Sequence, residues 1–120
     1  MIELMQDLPD HVLGFKVSGL VTADEYESVV IPAVEAFFLV QPKAHFMYCF
    51  SPEFEGFEAG AVWDDVRLGL RHISGWEKVA VVADQDWLRG AVKLFRLGIP
   101  GDLRVYTTQE MPQAKAWVES

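Results

Sequence analysis

From Gly60 to Trp87 the chain reads GAVWDDVRLGLRHISGWEKVAVVADQDW, and no other stretch constrains the fold so tightly. A helix-period segment is broken at Ser74-Gly75, a wholly apolar run of strand length follows, and an Asp-rich turn opens another helix. A strand with no polar alternation belongs inside a sheet covered on both faces, which is the signature of parallel pairing. The run Lys78 to Ala83 therefore predicts an interior parallel strand, and Ala44 to Phe50 predicts a second one.

The remaining elements arrange themselves around those two strands. Ile2 to Gln6 and Val12 to Val17 flank a Leu8-Pro9-Asp10 turn and predict an opening hairpin. Thr22 with Glu25 has capping-box spacing, so a helix starts at Ala23, with Tyr26, Val29, Val30, Ala33, Val34, Phe37 and Phe38 on its buried face. Pro32 lacks the amide proton a helix interior needs, a defect worth roughly 3 kcal/mol, so the helix is expected to kink or restart there. A helix over about Ala59 to Ile73, one from Trp87 to Leu97, a short strand Asp102 to Tyr106 and a closing helix capped by Thr108 complete the order ββαβαβαβα. The fold class is α/β: a mixed, mostly parallel sheet of about five strands with about four flanking helices. At 120 residues the chain fits one domain, 1–120, with one core.

Composition enters where partners are concerned. Ten Lys plus Arg against 18 Asp plus Glu leave a net charge of −8, which repels phosphate backbones and argues against nucleic acid. One cysteine, Cys49, excludes an internal disulfide and fits a cytoplasmic setting. The amino terminus MIELMQDLPD lacks the basic, apolar pattern of a signal peptide, and no run approaches a membrane span.

Chemistry-bearing patterns are sparse. Asp65, Leu68 and His72 fall near one line of their helix, with Trp63, Arg67 and Arg71 on another. Two turns, about 10 Å, separate Asp65 from His72, so they form no direct acid/base pair. His11, His45 and His72 lack metal-ligand spacing, and neither a GxSxG elbow, GxGxxG nor a P-loop occurs. No catalytic residue, metal or cofactor is assigned, and an enzyme is the last of the functional readings.

Two features point to binding. The segment Ser51 to Glu58 mixes breakers, acids and the aromatics Phe54 and Phe57, and predicts a mobile lid-like loop with exposed apolar side chains. Ligands of open α/β sheets sit beyond the carboxyl ends of parallel strands, so Phe54, Phe57, Trp63, Leu68, His72, Trp87 and Phe95 are candidates to wall an apolar pocket there. Arg89, Lys93 and Arg96 recur at i, i+4, i+7 and offer a basic stripe for an anionic head group or membrane surface. The plainer alternatives are a core-completing loop and a solvated helix face.

Trp63-Asp64-Asp65, Gly69, His72, the run Trp76 to Asp84, Trp87 and the closing Ala116-Trp117 together resemble the SpoIIAA-like proteins, bacterial domains related to the STAS fold and similar in architecture to CRAL-TRIO lipid-binding domains. Ala83 stands where that family commonly has glycine. The resemblance implies a mixed sheet with surrounding helices, no established catalysis and a role in holding lipid-like or other apolar small molecules, with peripheral association at the inner membrane face. The leading reading is therefore a binding domain for such a ligand; the alternative is a regulatory STAS-type module that binds a partner protein, and a homodimer is left open. The phosphorylated serine of the name-giving anti-sigma-factor antagonists does not carry over, since the junction here reads Phe57-Glu58-Ala59-Gly60-Ala61.

Overall fold

The computed structural model describes residues 1–62, 67, 75–95 and 101–120. Among the described residues seven strands run in chain order: β1 (Ile2–Leu4), β2 (Val12–Val17), β3 (Leu20–Val21), β4 (Ala44–Phe50), β5 (Gly56–Phe57), β6 (Trp76–Val82) and β7 (Asp102–Tyr106). Helices α1 (Ala23–Glu25) and α2 (Ile31–Val40) are joined through a π-helical turn, Tyr26–Val30. Residues 59–62 are also helical, α3 is Asp86–Phe95, and α4, Met111–Glu119, follows a 3-10 turn at Thr108–Glu110.

Five of these strands form one sheet in the order β1-β2-β4-β6-β7, with β1–β2 antiparallel and the β2–β4, β4–β6 and β6–β7 pairs parallel. The two apolar runs, β4 and β6, are neighbours near its centre, as their lack of alternation requires. Phe15, Phe46, Phe50, Val79, Val81 and Leu103 point to the side covered by Tyr26, Val30 and Val34. The intervening residues Val12, Met47, Cys49, Ala80 and Val82 point to the other side, where Ala114 and Val118 of α4 meet them. A separate two-stranded parallel sheet pairs β3 with β5.

Local chemistry explains the helix starts. Thr22 Oγ1 accepts the Glu25 amide at 3.1 Å, as the spacing predicts. The reciprocal half of that box is not made: Glu25 pairs with the amino-terminal ammonium at 3.4 Å, and Glu58 Oε1 takes the Ala23 amide at 2.8 Å. The expected interruption at Pro32 takes the form of the π turn. The Ile31 amide reaches back five residues to the Tyr26 carbonyl, and α2 restarts with Pro32 in its first turn, where a missing N–H costs nothing.

The closing helix is capped one residue earlier than its sequence suggests. Thr107 and Glu110 form the capping box, because Thr108 is engaged elsewhere: its amide and hydroxyl donate to the two Asp84 carboxylate oxygens at 2.9 and 2.7 Å. Those bonds hold the Asp84 carboxyl below the usual range. The stabilisation is thus present above the ordinary carboxylate range near pH 4 and lost as pH falls through the lowered value. Urea midpoints should show Asp84→Asn with a shallower acid dependence than wild type, and identical slopes would reject the linkage.

Candidate functional site

The segment 51–58 is where the structure departs most from expectation. It is tied down on both sides: the Gly19 amide donates to Glu53 O, the Glu55 amide to Gly19 O, and the Glu58 amide to Val21 O. Gly56 adopts φ +138°, which glycine alone takes without strain, and this lets Gly56 and Phe57 lie beside Leu20 and Val21 as a parallel pair. Phe54 is not an exposed lid residue but is 4 % exposed, and Phe57 is half-buried.

Three of the residues expected to wall a pocket do come together. The Phe54 ring lies 4.7 Å from Phe50, 5.2 Å from Phe57 edge-on, and 5.8 Å from Trp87 in a stacked arrangement. Phe54 belongs to the buried core and Phe57 packs against it, so the cluster is continuous with the core and reaches out to the first turn of α3. Trp63, Leu68, His72 and Arg96 lie outside the described residues, and of Phe95 only the helical backbone is described.

The basic stripe is divided. Arg89 is half-buried and its Nη1 donates to the Ala83 carbonyl at 3.0 Å, so its guanidinium is turned back onto the end of the central strand. Lys93 is exposed. A wheel drawn from sequence places the two together, but Leu88 is the buried anchor of α3, and it rotates Arg89 inward.

The outward face of α3 is therefore Asp86, Trp87, Gly90, Lys93 and Leu94. Trp87 is 55 % exposed and Leu94 73 % exposed, two turns apart on that face. Gly90 lies between them, and a β-carbon there would meet no atom within 4 Å. An apolar pair around a bare backbone step, on a helix whose other side is anchored by Leu88 and Arg89, is a shaped surface on a rigid support.

A groove of about 320 Å³ opens at the carboxyl ends of β2, β4 and β6, where a ligand of such a sheet is expected, but toward α4. Lys16, Ser18, Cys49, Ser51, Thr108 and Met111 are among its walls, and none of them was singled out from sequence as a site residue. The available signal was strand parity. Lys16, Cys49 and Val82 occupy one register row across β2, β4 and β6, and Lys16 is the lone charge in its strand.

His11 and His45 serve the C-terminal helix. His45 Nδ1 donates to Val118 O at 2.6 Å, its Nε2 lies 2.6 Å from Glu77 Oε1, and His11 Nε2 bonds Glu119 O at 2.8 Å. Among the described residues no three His, Cys, Asp or Glu side chains are grouped to hold a metal ion, and no helix is long and apolar enough to cross a membrane.

Comparison with known proteins places this geometry. The sequence model of the family described as SpoIIAA-like matches residues 12–119. A crystal structure of an uncharacterized DUF3478-family protein with a SpoIIAA-like fold, from Shewanella loihica PV-4, superposes with a TM-score of 0.80 at 24 % identity, over 98 % of this chain and 92 % of that one. At that identity the likeness concerns the fold. No curated protein matches the chain.

Proposed function

The chain belongs to the SpoIIAA-like family, and from that premise we propose that it is a non-enzymatic regulatory module that binds a partner protein through the outward face of α3. One observation carries the reading: Trp87 and Leu94 stand exposed on either side of the open Gly90 step. Large exposed side chains flanking a site without a side chain suit the knob of a partner, and a central tryptophan is the residue type that most often dominates such interfaces. The net charge of −8 favours a partner with a basic rim, which raises the association rate.

The module acts without a phosphorylation switch. Glu58 stands at the start of the helical residues 59–62, its carbonyl accepts the Val62 amide, and its carboxylate is engaged by the Ala23 amide. That junction carries a glutamate side chain in place of a hydroxyl. An apolar or lipid-like ligand has less support, since Phe54 packs against Phe50, Phe57 and Trp87, and Arg89 is held by the Ala83 carbonyl instead of facing a membrane.

Gly90→Lys separates binding from folding, because it acts on the two in opposite directions. Removing a mid-helix glycine stabilises by about 0.5–1 kcal/mol, and the side chain has open space. The added chain nevertheless covers the step between Trp87 and Leu94. With the wild-type protein as bait, a stoichiometric partner is expected that Gly90→Lys and Leu94→Lys both fail to retain. Retention of the same partner by both variants would reject the α3 face.

A further inference from the structure

On the α4 side of the sheet three sulfur atoms from separate elements converge. Cys49 Sγ on β4 lies 3.9 Å from the Sδ of Met5, between β1 and β2, and 3.8 Å from the Sδ of Met111, the first residue of α4. A metal–sulfur bond is about 2.3 Å long, so three sulfurs around one trigonal ion stand roughly 4 Å apart. Cys49 stands at that spacing from each of the two thioethers. We propose that Cys49, Met5 and Met111 form a three-sulfur site for copper(I).

Ligand type selects the ion. One thiol and two thioethers are the soft set that favours copper(I) over harder divalent ions. On binding, the S–H bond of Cys49 breaks, an S–Cu bond forms and one proton leaves to solvent, so a monovalent ion adds no net charge to the site.

Access and preorganisation fit the same assignment. Cys49 and Met111 line the groove at the strand ends, so the ion reaches the sulfurs from solvent without opening the core. Lys16 is the register partner of Cys49 on the neighbouring strand and lines the same groove. Gly14 makes room for Met5: a β-carbon there would fall 2.8 Å from the Met5 sulfur and would clash with Leu8 Cδ1. The absence of a side chain at Gly14 lets the thioether lie over the sheet toward Cys49.

The test uses the full chain without oxygen, titrated with copper(I) against the chelator bicinchoninate. One copper per chain should be withdrawn from the chelator, and X-ray absorption should show three sulfur neighbours. Cys49→Ser should weaken binding by about a hundredfold or more, and Met111→Leu and Met5→Leu by about tenfold each. Leucine conserves volume, so the methionine variants decide the matter even if Cys49→Ser fails to fold. No withdrawal of copper by wild type, or affinity unchanged in the double methionine variant, would overturn the site.

Discussion

Phe46→Ala is expected to destabilise the protein by about 3–5 kcal/mol, seen as a large fall in urea midpoint with little change in slope. Phe46 is fully buried at the centre of β4. Its ring lies 4.2 Å from Trp76, 6.0 Å from Phe37, 6.2 Å from Phe38 and 6.4 Å from Tyr48, so it joins β6 and α2 in one aromatic layer. Alanine would leave a cavity bounded by rings that cannot collapse together while the sheet and helix hold them apart. Since a domain's whole stability is about 5–15 kcal/mol, much of it depends on this one ring. A loss below about 1 kcal/mol would mean that the layer relaxes and that the core is not organised around β4.

His45→Leu is expected to cost about 1–3 kcal/mol and to loosen α4 selectively. The ring is buried, and its Nδ1–H reaches the Val118 carbonyl in the last turn of α4. Leucine fills part of the space but leaves that carbonyl without its donor, the asymmetry that makes a removed partner costly. Hydrogen exchange should therefore accelerate in α4 more than in β4. The same ring holds the Glu77 carboxyl below its usual range through the 2.6 Å hydrogen bond. That contribution is present above the ordinary carboxylate range and fades as pH falls through the lowered value. Glu77 is exposed, so Glu77→Gln should produce a much smaller loss than His45→Leu. Equal effects from the two variants would show that the Glu77 contact, and not the buried bond to Val118, holds the helix.

The sheet was legible because its signals are local and redundant. Ala44 to Phe50 and the run ending at Ala83 are apolar on both parities, and in the structure both parities meet cover, Phe46 from α2 and Met47 from the α4 side. Thr22 and Pro32 act within one helical turn, and both acted as their chemistry demands. What sequence could not supply were choices settled by distant partners. β3 and β5 have two residues each, too short for any periodicity, and exist because each meets the other. Thr108 would cap α4 in isolation, but Asp84 from another strand end claims it.

The candidate surface shows the same division. That Phe54, Phe57 and Trp87 belong together follows from their kind and position, yet whether they enclose a ligand or one another depends on backbone pairing with β3. The face of α3 could be assigned only once Leu88 was known to point inward, which leaves Trp87 and Leu94 outside and turns Arg89 toward Ala83. The Cys49 cluster escapes motif reading because thioethers carry no recognised spacing, and its two methionines come from opposite ends of the chain.

The most direct measurement of the proposed function is hydrogen exchange on the complex with the captured partner. We predict protection concentrated in residues 86–95, strongest around Gly90, with little change at the groove lined by Lys16, Cys49 and Thr108. Protection at that groove, with residues 86–95 exchanging as in the free protein, would contradict the assignment of the binding surface to α3.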